Sequence, residues 1–219
     1  MENIQLFLAG DSTVSHYDAS AAPRAGWGQR IGALLNQGVL VHNEAASGRS
    51  SKSFIEEGRL DRIMEHMQNG DYLFVQFGHN DQKPDERYTE PYGSYQAYLR
   101  KYVECARMKQ ANPVLITPVQ RRSFDSEGRV RDTHGDYPDA MRQLAAEFRV
   151  PLIDLTSKSA RLLQTLGPES SKKLFLWLKP GEHPNYPDGA EDDTHFCEYG
   201  AGVVAGLVAE GAKEAGLVL

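Results

Sequence analysis

Cysteine is nearly absent: Cys105 and Cys197 are the only two in 219 residues. They stand far apart and form neither a CxxC pair nor a zinc-like spacing, which excludes a disulfide scaffold, a thioredoxin-type redox motif and a cysteine-bound metal. Two free, buried thiols are expected, both on segments that read as helical. Positive charge is also in deficit. With 24 Lys and Arg against 30 Asp and Glu, the net charge is -6, so the broad cationic field that neutralises phosphates is missing and no nucleic-acid partner is expected. No apolar run approaches the roughly 20 residues that cross a bilayer, so no membrane partner is expected either. A strand-like run begins at Ile4 and leaves no room before it for a leader segment, which points to a cytoplasmic protein. Repeats and low-complexity tracts are lacking. His16, His42, His66, His79, His134 and His183 show no metal-motif spacing, and neither a metal nor a cofactor is expected.

What is present is ordinary globular composition, 40% hydrophobic and 25% charged, in a length that suits one domain over residues 1–219. Short apolar runs at Ile4–Ala9, Val39–His42, Tyr72–Phe77, Val114–Thr117 and Leu152–Leu155 have strand length and composition. Between them, Trp27–Asn36, Leu60–Gln68, Tyr92–Gln110, Asp139–Phe148 and Ser157–Leu166 have helix-compatible spacing, and Ala201–Ala215 closes the chain. Strands apolar on both faces and joined by helices predict an α/β fold: a three-layer α/β/α sandwich, flavodoxin-like, around a five-stranded parallel sheet. Ligands of such sheets gather at the C-terminal edge of the strands. The unusual residues fall there, in Gly10-Asp11-Ser12, Asn43–Ser51, Gly78–Asp81 and Pro118–Phe124.

Ser12 follows the first strand, where a sharp turn exposes a hydroxyl and aims its own N–H inward. A serine needs an adjacent base and donors for the oxyanion before it can attack a carbonyl. Asp192-Asp193-Thr194-His195, read as the start of the last helix, supplies an imidazole with a carboxylate three residues earlier to hold Nδ1. Asp193 is the rival orienter, or a cap of that helix. Gly48 has no side chain to block close approach to its N–H, and Asn80 carries an amide donor where a carboxylate would repel an oxyanion. Each feature alone is an ordinary turn or cap.

Together they resemble the SGNH superfamily of GDS-type hydrolases, which contribute a Ser, a Gly, an Asn and a late Asp-x-x-His in chain order. Gly10–Val14, Gly26-Trp27-Gly28-Gln29, Asn43–Ser51, Gln76–Asp81, Thr117–Arg122 and Asp192–Phe196 look like rhamnogalacturonan acetylesterases from end to end. The resemblance implies the SGNH hydrolase fold, with Ser12 as nucleophile, His195 as general base and then acid, and Asp192 as its orienter. It assigns the oxyanion donors to Ser12 N–H, Gly48 N–H and Asn80. The implied partner is an acetylated pectic oligosaccharide, deacetylated through an acetyl-enzyme without a metal. Tyr88, Tyr92, Trp177, Tyr186, Arg87, Arg121 and Arg122 stand in loops suited to sugar faces and uronate carboxylates. The alternatives are a GDS-type lipase, thioesterase or xylan deacetylase, and, from another class, a non-catalytic module whose Ser12–Ser15 loop cradles phosphate or FMN.

Overall fold

The computed structural model describes residues 4–219. In chain order its strands are β1 (Gln5–Gly10), β2 (Arg24–Ala25), β3 (Leu40–Asn43), β4 (Tyr72–Gln76), β5 (Asn112–Ile116), β6 (Leu152–Ile153), β7 (Phe175–Leu178) and β8 (Ala190–Cys197). Its α-helices are α1 (Ser51–Glu56), α2 (Arg59–His66), α3 (Gln96–Met108), α4 (Tyr137–Phe148), α5 (Leu155–Ser170) and α6 (Glu198–Glu214). Five strands pair in parallel in the order β3-β1-β4-β5-β6.

The period-2 alternation of a strand decides what lies on each face. Leu6, Leu8, Phe74, Val114 and Ile116 point to one side, where Trp27, Ile31, Leu163 of α5 and Val204 and Val208 of α6 meet them. Phe7, Ala9, Leu73, Val75 and Leu115 point to the other, against Phe54 of α1, Ile63 of α2, Leu99 and Tyr102 of α3 and Leu144 of α4. The outcome is the three-layer α/β/α sandwich.

Several local expectations are corrected. Trp27–Asn36 is two 3₁₀ turns, Trp27–Gln29 and Ile31–Leu34, rather than one helix. The α1 helix was not foreseen; it is only six residues long, too short to show a period, and Ser50 caps it by accepting from Ser53 N. The fifth sheet strand is shorter than expected because Asp154 already caps α5, accepting from Ser157 N.

The largest correction concerns Asp192–His195, which lie in β8 and not at a helix start; α6 begins at Glu198. β8 runs antiparallel between β2 and β7 in a second, three-stranded sheet. The adjacent β7 residues Phe175 and Leu176 face Phe196 and Asp192 respectively. Residues 193–195 therefore bulge out of the ladder, the device by which a strand re-aims a side chain. Cys197 closes β8 instead of lying in a helix, and both cysteines are free but only partly buried.

Candidate active site

Four of the parallel sheet's C-terminal loops and the β8 bulge meet at one edge. After Gly10, the Asp11 carbonyl accepts from Val14 N and Ser15 N at 3.1 Å each and from Ser15 Oγ at 2.8 Å, wrapping the chain into a tight turn that contains Ser12. Trp27 N donates to Thr13 O at 2.9 Å, seating the Gly26-Trp27-Gly28 segment on this turn. The approach requires glycine: a Cβ on Gly26 would lie 2.3 Å from Ser15 O. Tyr17 Oη adds a 2.9 Å bond to the Ser12 carbonyl.

Ser12 Oγ stands 2.9 Å from His195 Nε2, and His195 Nδ1 stands 2.7 Å from Asp192 Oδ2. The other Asp192 oxygen accepts from Thr194 N at 2.8 Å and His195 N at 2.9 Å, so the same carboxylate that orients the ring also shapes the bulge presenting it. Burial pushes the Asp192 carboxyl up, but the bonds from the His195 ring, the His195 backbone and Thr194 outweigh it and hold the group at about 2. Asp193 faces elsewhere. Its Oδ1 accepts from Arg122 Nη1 at 2.7 Å and Trp177 Nε1 at 2.9 Å, while its carbonyl accepts from Arg122 N. It neither touches the ring nor caps α6.

Gly48 adopts φ +83°, a left-handed conformation natural to glycine, on a loop tied to β1 by Ala46 N to Gly10 O at 3.0 Å. Asn80 is buried, and its Nδ2 donates to Arg49 O at 3.0 Å, joining the third loop to the second and leaving its other amide hydrogen uncommitted. Among the described residues, neither Ser12 N–H nor Gly48 N–H has a protein acceptor. The five expected residues are thus assembled from three strand-end loops and the β8 bulge.

Beneath Ser12 lies a buried polar network that was not anticipated. Asp11 Oδ1 accepts from Thr13 N and Oγ1; Thr13 Oγ1 accepts from Gln76 Nε2 at 2.7 Å; Gln76 Oε1 accepts from Trp27 Nε1 at 2.9 Å. This chain explains why Gly-Asp-Ser-Thr, Gly-Trp-Gly and Gln-Phe-Gly segments occur together in one sequence. Burial pushes Asp11 up, yet the His79 ring and the Thr13 donors bring it below the ordinary carboxylate range. His79 Nδ1 lies 3.3 Å from Asp11 Oδ2 without hydrogen-bond alignment. Desolvation lowers His79 and lowers His134 further, the two rings meeting edge to face at 4.5 Å. His79 is therefore buried behind the site.

The Ser12–Ser15 loop has little left to offer a phosphate or FMN, since Asp11 takes up the N–H groups of Thr13, Val14 and Ser15. The arginines expected to meet substrate are likewise occupied. Arg87 pairs with Asp85 and reaches Gly48 O at 3.4 Å, Arg122 pairs with Asp193, and Arg121 donates to the carbonyls of His79 and Thr133. Trp177 has the cations of Arg122 and Lys172 over its ring, at 5.1 and 4.6 Å from its centre. Tyr186 Oη and Asn185 Nδ2 brace the Ala19–Ala22 segment, while Tyr88 and Tyr92 are exposed. Beside Gly48, a cavity of about 470 Å³ is bordered by Arg49, Ser53, Glu57 and Arg87.

A serine hydroxyl within reach of an oriented imidazole, with unengaged donors at the same sheet edge, is the arrangement that acyl transfer requires. Residues 8–200 match the GDSL-like lipase/acylhydrolase family. Rhamnogalacturonan acetylesterase RhgT of Bacillus subtilis is 58% identical over 216 residues, an alignment spanning 99% of this chain and 92% of that protein. The probable rhamnogalacturonan acetylesterase YesY of the same organism is 46% identical, over 98% of this chain and 94% of its own. Among solved structures, YxiM of Bacillus subtilis superposes with a TM-score of 0.84 at 28% identity, covering 98% of this chain but only 57% of that longer one. Axe2, an acetylxylan esterase from Geobacillus stearothermophilus, shares the fold at a TM-score of 0.68 and 18% identity, over 99% and 97% of the two chains.

Proposed function

The chain belongs to the GDSL-like lipase/acylhydrolase family and is a carboxylic ester hydrolase; from that premise we propose that it removes O-acetyl groups from rhamnogalacturonan-type oligosaccharides, with Ser12, His195 and Asp192 as its catalytic residues. The observation that carries the chemistry is the unbroken chain of short contacts from Ser12 Oγ through His195 to Asp192. The substrate class rests on the end-to-end likeness to RhgT.

In this reading, Ser12 Oγ attacks the acetyl carbonyl as its proton passes to His195 Nε2. Asp192, ionised at any working pH because its carboxyl is held at about 2, fixes the ring and stabilises the imidazolium. The oxyanion is met by Ser12 N–H, Gly48 N–H and the uncommitted Asn80 amide hydrogen. Collapse breaks the bond to the sugar oxygen, which leaves with the proton from His195. Water then gives its proton to His195, attacks the acetyl-enzyme and expels Ser12 Oγ, which regains that proton as acetate departs.

The test is acetate release from acetylated rhamnogalacturonan oligosaccharides and acetylated xylan, beside 4-nitrophenyl esters of increasing chain length. Expected are faster release from the pectic substrate, a sharp fall from acetyl to butyryl ester, and a loss of about 10⁴-fold or more in Ser12→Ala. Preference for long acyl chains would overturn the sugar-acetyl reading. An active Ser12→Ala would overturn the nucleophile.

A further inference from the structure

With Arg87, Arg121 and Arg122 occupied, a different guanidinium is left. Arg24 is half-buried, and no Asp or Glu lies within ion-pair distance of it among the described residues. Its Nε is enclosed without a hydrogen-bond partner, so a carboxylate can reach the guanidinium only from the Nη side. A partly desolvated cation without a counter-ion is costly to maintain, and guanidinium groups are the side chains best shaped to take a carboxylate in two parallel bonds.

Arg24 also stands in the right place. On β2 it faces Cys197 of β8, while its neighbour Ala25 faces Phe196. Ala25 and Phe196 turn into the core. Pleating therefore puts Arg24 and Cys197 on the opposite face. Its guanidinium carbon lies 4.5 Å from the centre of the Tyr17 ring, and Tyr17 Oη bonds the Ser12 carbonyl. Burial raises the Tyr17 phenol above its ordinary range, opposed by the nearby Arg24 charge and the Ser47 hydroxyl. Ser47 is exposed and adjoins Gly48. Arg24, Tyr17 and Ser47 thus form a rim running from the free cation to the oxyanion side of Ser12.

We propose that Arg24, stacked on Tyr17, binds a carboxylate of the substrate, so that the site selects an acetyl ester carried on or next to a uronic acid over one on a neutral sugar. This rests on the sugar-acetylesterase reading and adds to it the group that tells an acidic chain from a neutral one. Ordinary arginine occupants are carbonyls, carboxylates and aromatic faces; here Tyr17 engages the guanidinium through its ring and its hydroxyl, and no carboxylate does.

The test compares acetylated galacturonate oligosaccharides with the same material after methyl esterification of its carboxyls, for the native protein, Arg24→Gln and Arg24→Lys. The readout is the ratio of kcat/KM for acid over methyl ester, which is unaffected by any loss common to both substrates. The native protein is expected to favour the acid about tenfold or more, Arg24→Gln to bring the ratio close to one, and Arg24→Lys to keep part of it. A ratio equal in native protein and Arg24→Gln overturns the proposal. A parallel arm measures inhibition of 4-nitrophenyl acetate hydrolysis by unacetylated galacturonate oligosaccharide. If no acetate is released from pectic material, the substrate reading fails. The Arg24 proposal then stands on an inhibition constant that weakens about tenfold in Arg24→Gln, and falls if that constant is unchanged.

Discussion

Two neighbouring aspartates share a bulge yet meet different partners, and the difference is readable atom by atom. Asp192 spends one oxygen on the His195 ring and the other on two backbone N–H groups; Asp193 spends Oδ1 on Arg122 and Trp177. Replacing Asp192 by Asn puts an amide where the ring requires an acceptor and favours the wrong imidazole tautomer. Asp192→Asn is accordingly expected to lower kcat on a small acetyl ester by about 10³–10⁴-fold. Asp193→Asn keeps an acceptor for Arg122 and is expected to stay within about tenfold of the native rate. Steady-state kinetics of the pair decides, and a larger loss at Asp193 would transfer the orienting role. At this scale the sequence is informative where chemistry restricts the residue type: Ser12, Gly48, Asn80, Asp192 and His195 could all be singled out by motif. Tyr17 and Arg24 lie outside every motif segment, and Thr13 and Gln76 lie within two of them without showing a role, because a hydrogen-bonding threonine or glutamine looks the same in sequence as a solvated one.

The bulge itself depends on elements distant in the chain. Arg122 bonds Asp193 through its side chain and backbone, stacks near Trp177 and also reaches Pro168 O and Ser171 Oγ, so the β5–α4 loop clamps β8 against β7 and the end of α5. Arg122→Ala removes a charge-assisted pair and leaves the Asp193 carboxylate with Trp177 alone, while the backbone bond from residue 122 to the Asp193 carbonyl remains. A loss of about 1.5–3 kcal/mol in urea unfolding is expected, with a fall in kcat on 4-nitrophenyl acetate that exceeds any change in KM. Lost stability with an unchanged kcat would mean that the bulge keeps its shape without the clamp. The same dependence explains what was legible among the elements. The parallel strands and helices α2 to α6 announce themselves by apolar runs or periodicity. β8 does not: Ala-Glu-Asp-Asp-Thr-His carries the acidic residues of a helix start, and only pairing with Phe175–Leu178 makes it a strand. The Trp27 region misleads for the opposite reason, since its apolar spacing suits a helix while close packing on the Ser12 turn shapes it into 3₁₀ turns.

For the molecule as a whole, the buried titratable groups around the site oppose one another, and their balance sets how stability follows pH. Burial lowers His79 and His134, so on acidification below about 6.5 the unfolded chain takes up two protons that the native protein refuses. This stabilising contribution is present above 6.5 and lost as pH falls. Asp81 acts in the other direction. Its carboxyl is enclosed with Ser51 and Thr89 donating to it, while the Tyr137 hydroxyl bonds its backbone carbonyl, and burial raises the carboxyl to about 7 against the pull of the Ser51 and Thr89 bonds. Its contribution is complete below about pH 4, where both states are protonated, and is lost as pH rises to about 7. Between these limits the two histidines favour the native protein more as pH rises, and Asp81 opposes them. Stability should therefore climb as pH rises from roughly 5, level off towards 6.5, and dip slightly as Asp81 finally ionises near 7. Asp81→Asn keeps an acceptor toward Ser51 and cannot ionise, so the climb should steepen, the dip should vanish, and the variant should gain most over the native protein at about pH 8. Urea unfolding at half-unit intervals reads all three. Parallel curves for native protein and variant would mean that Asp81 is already ionised in the fold, and that the site tolerates a second buried carboxylate beside Asp11.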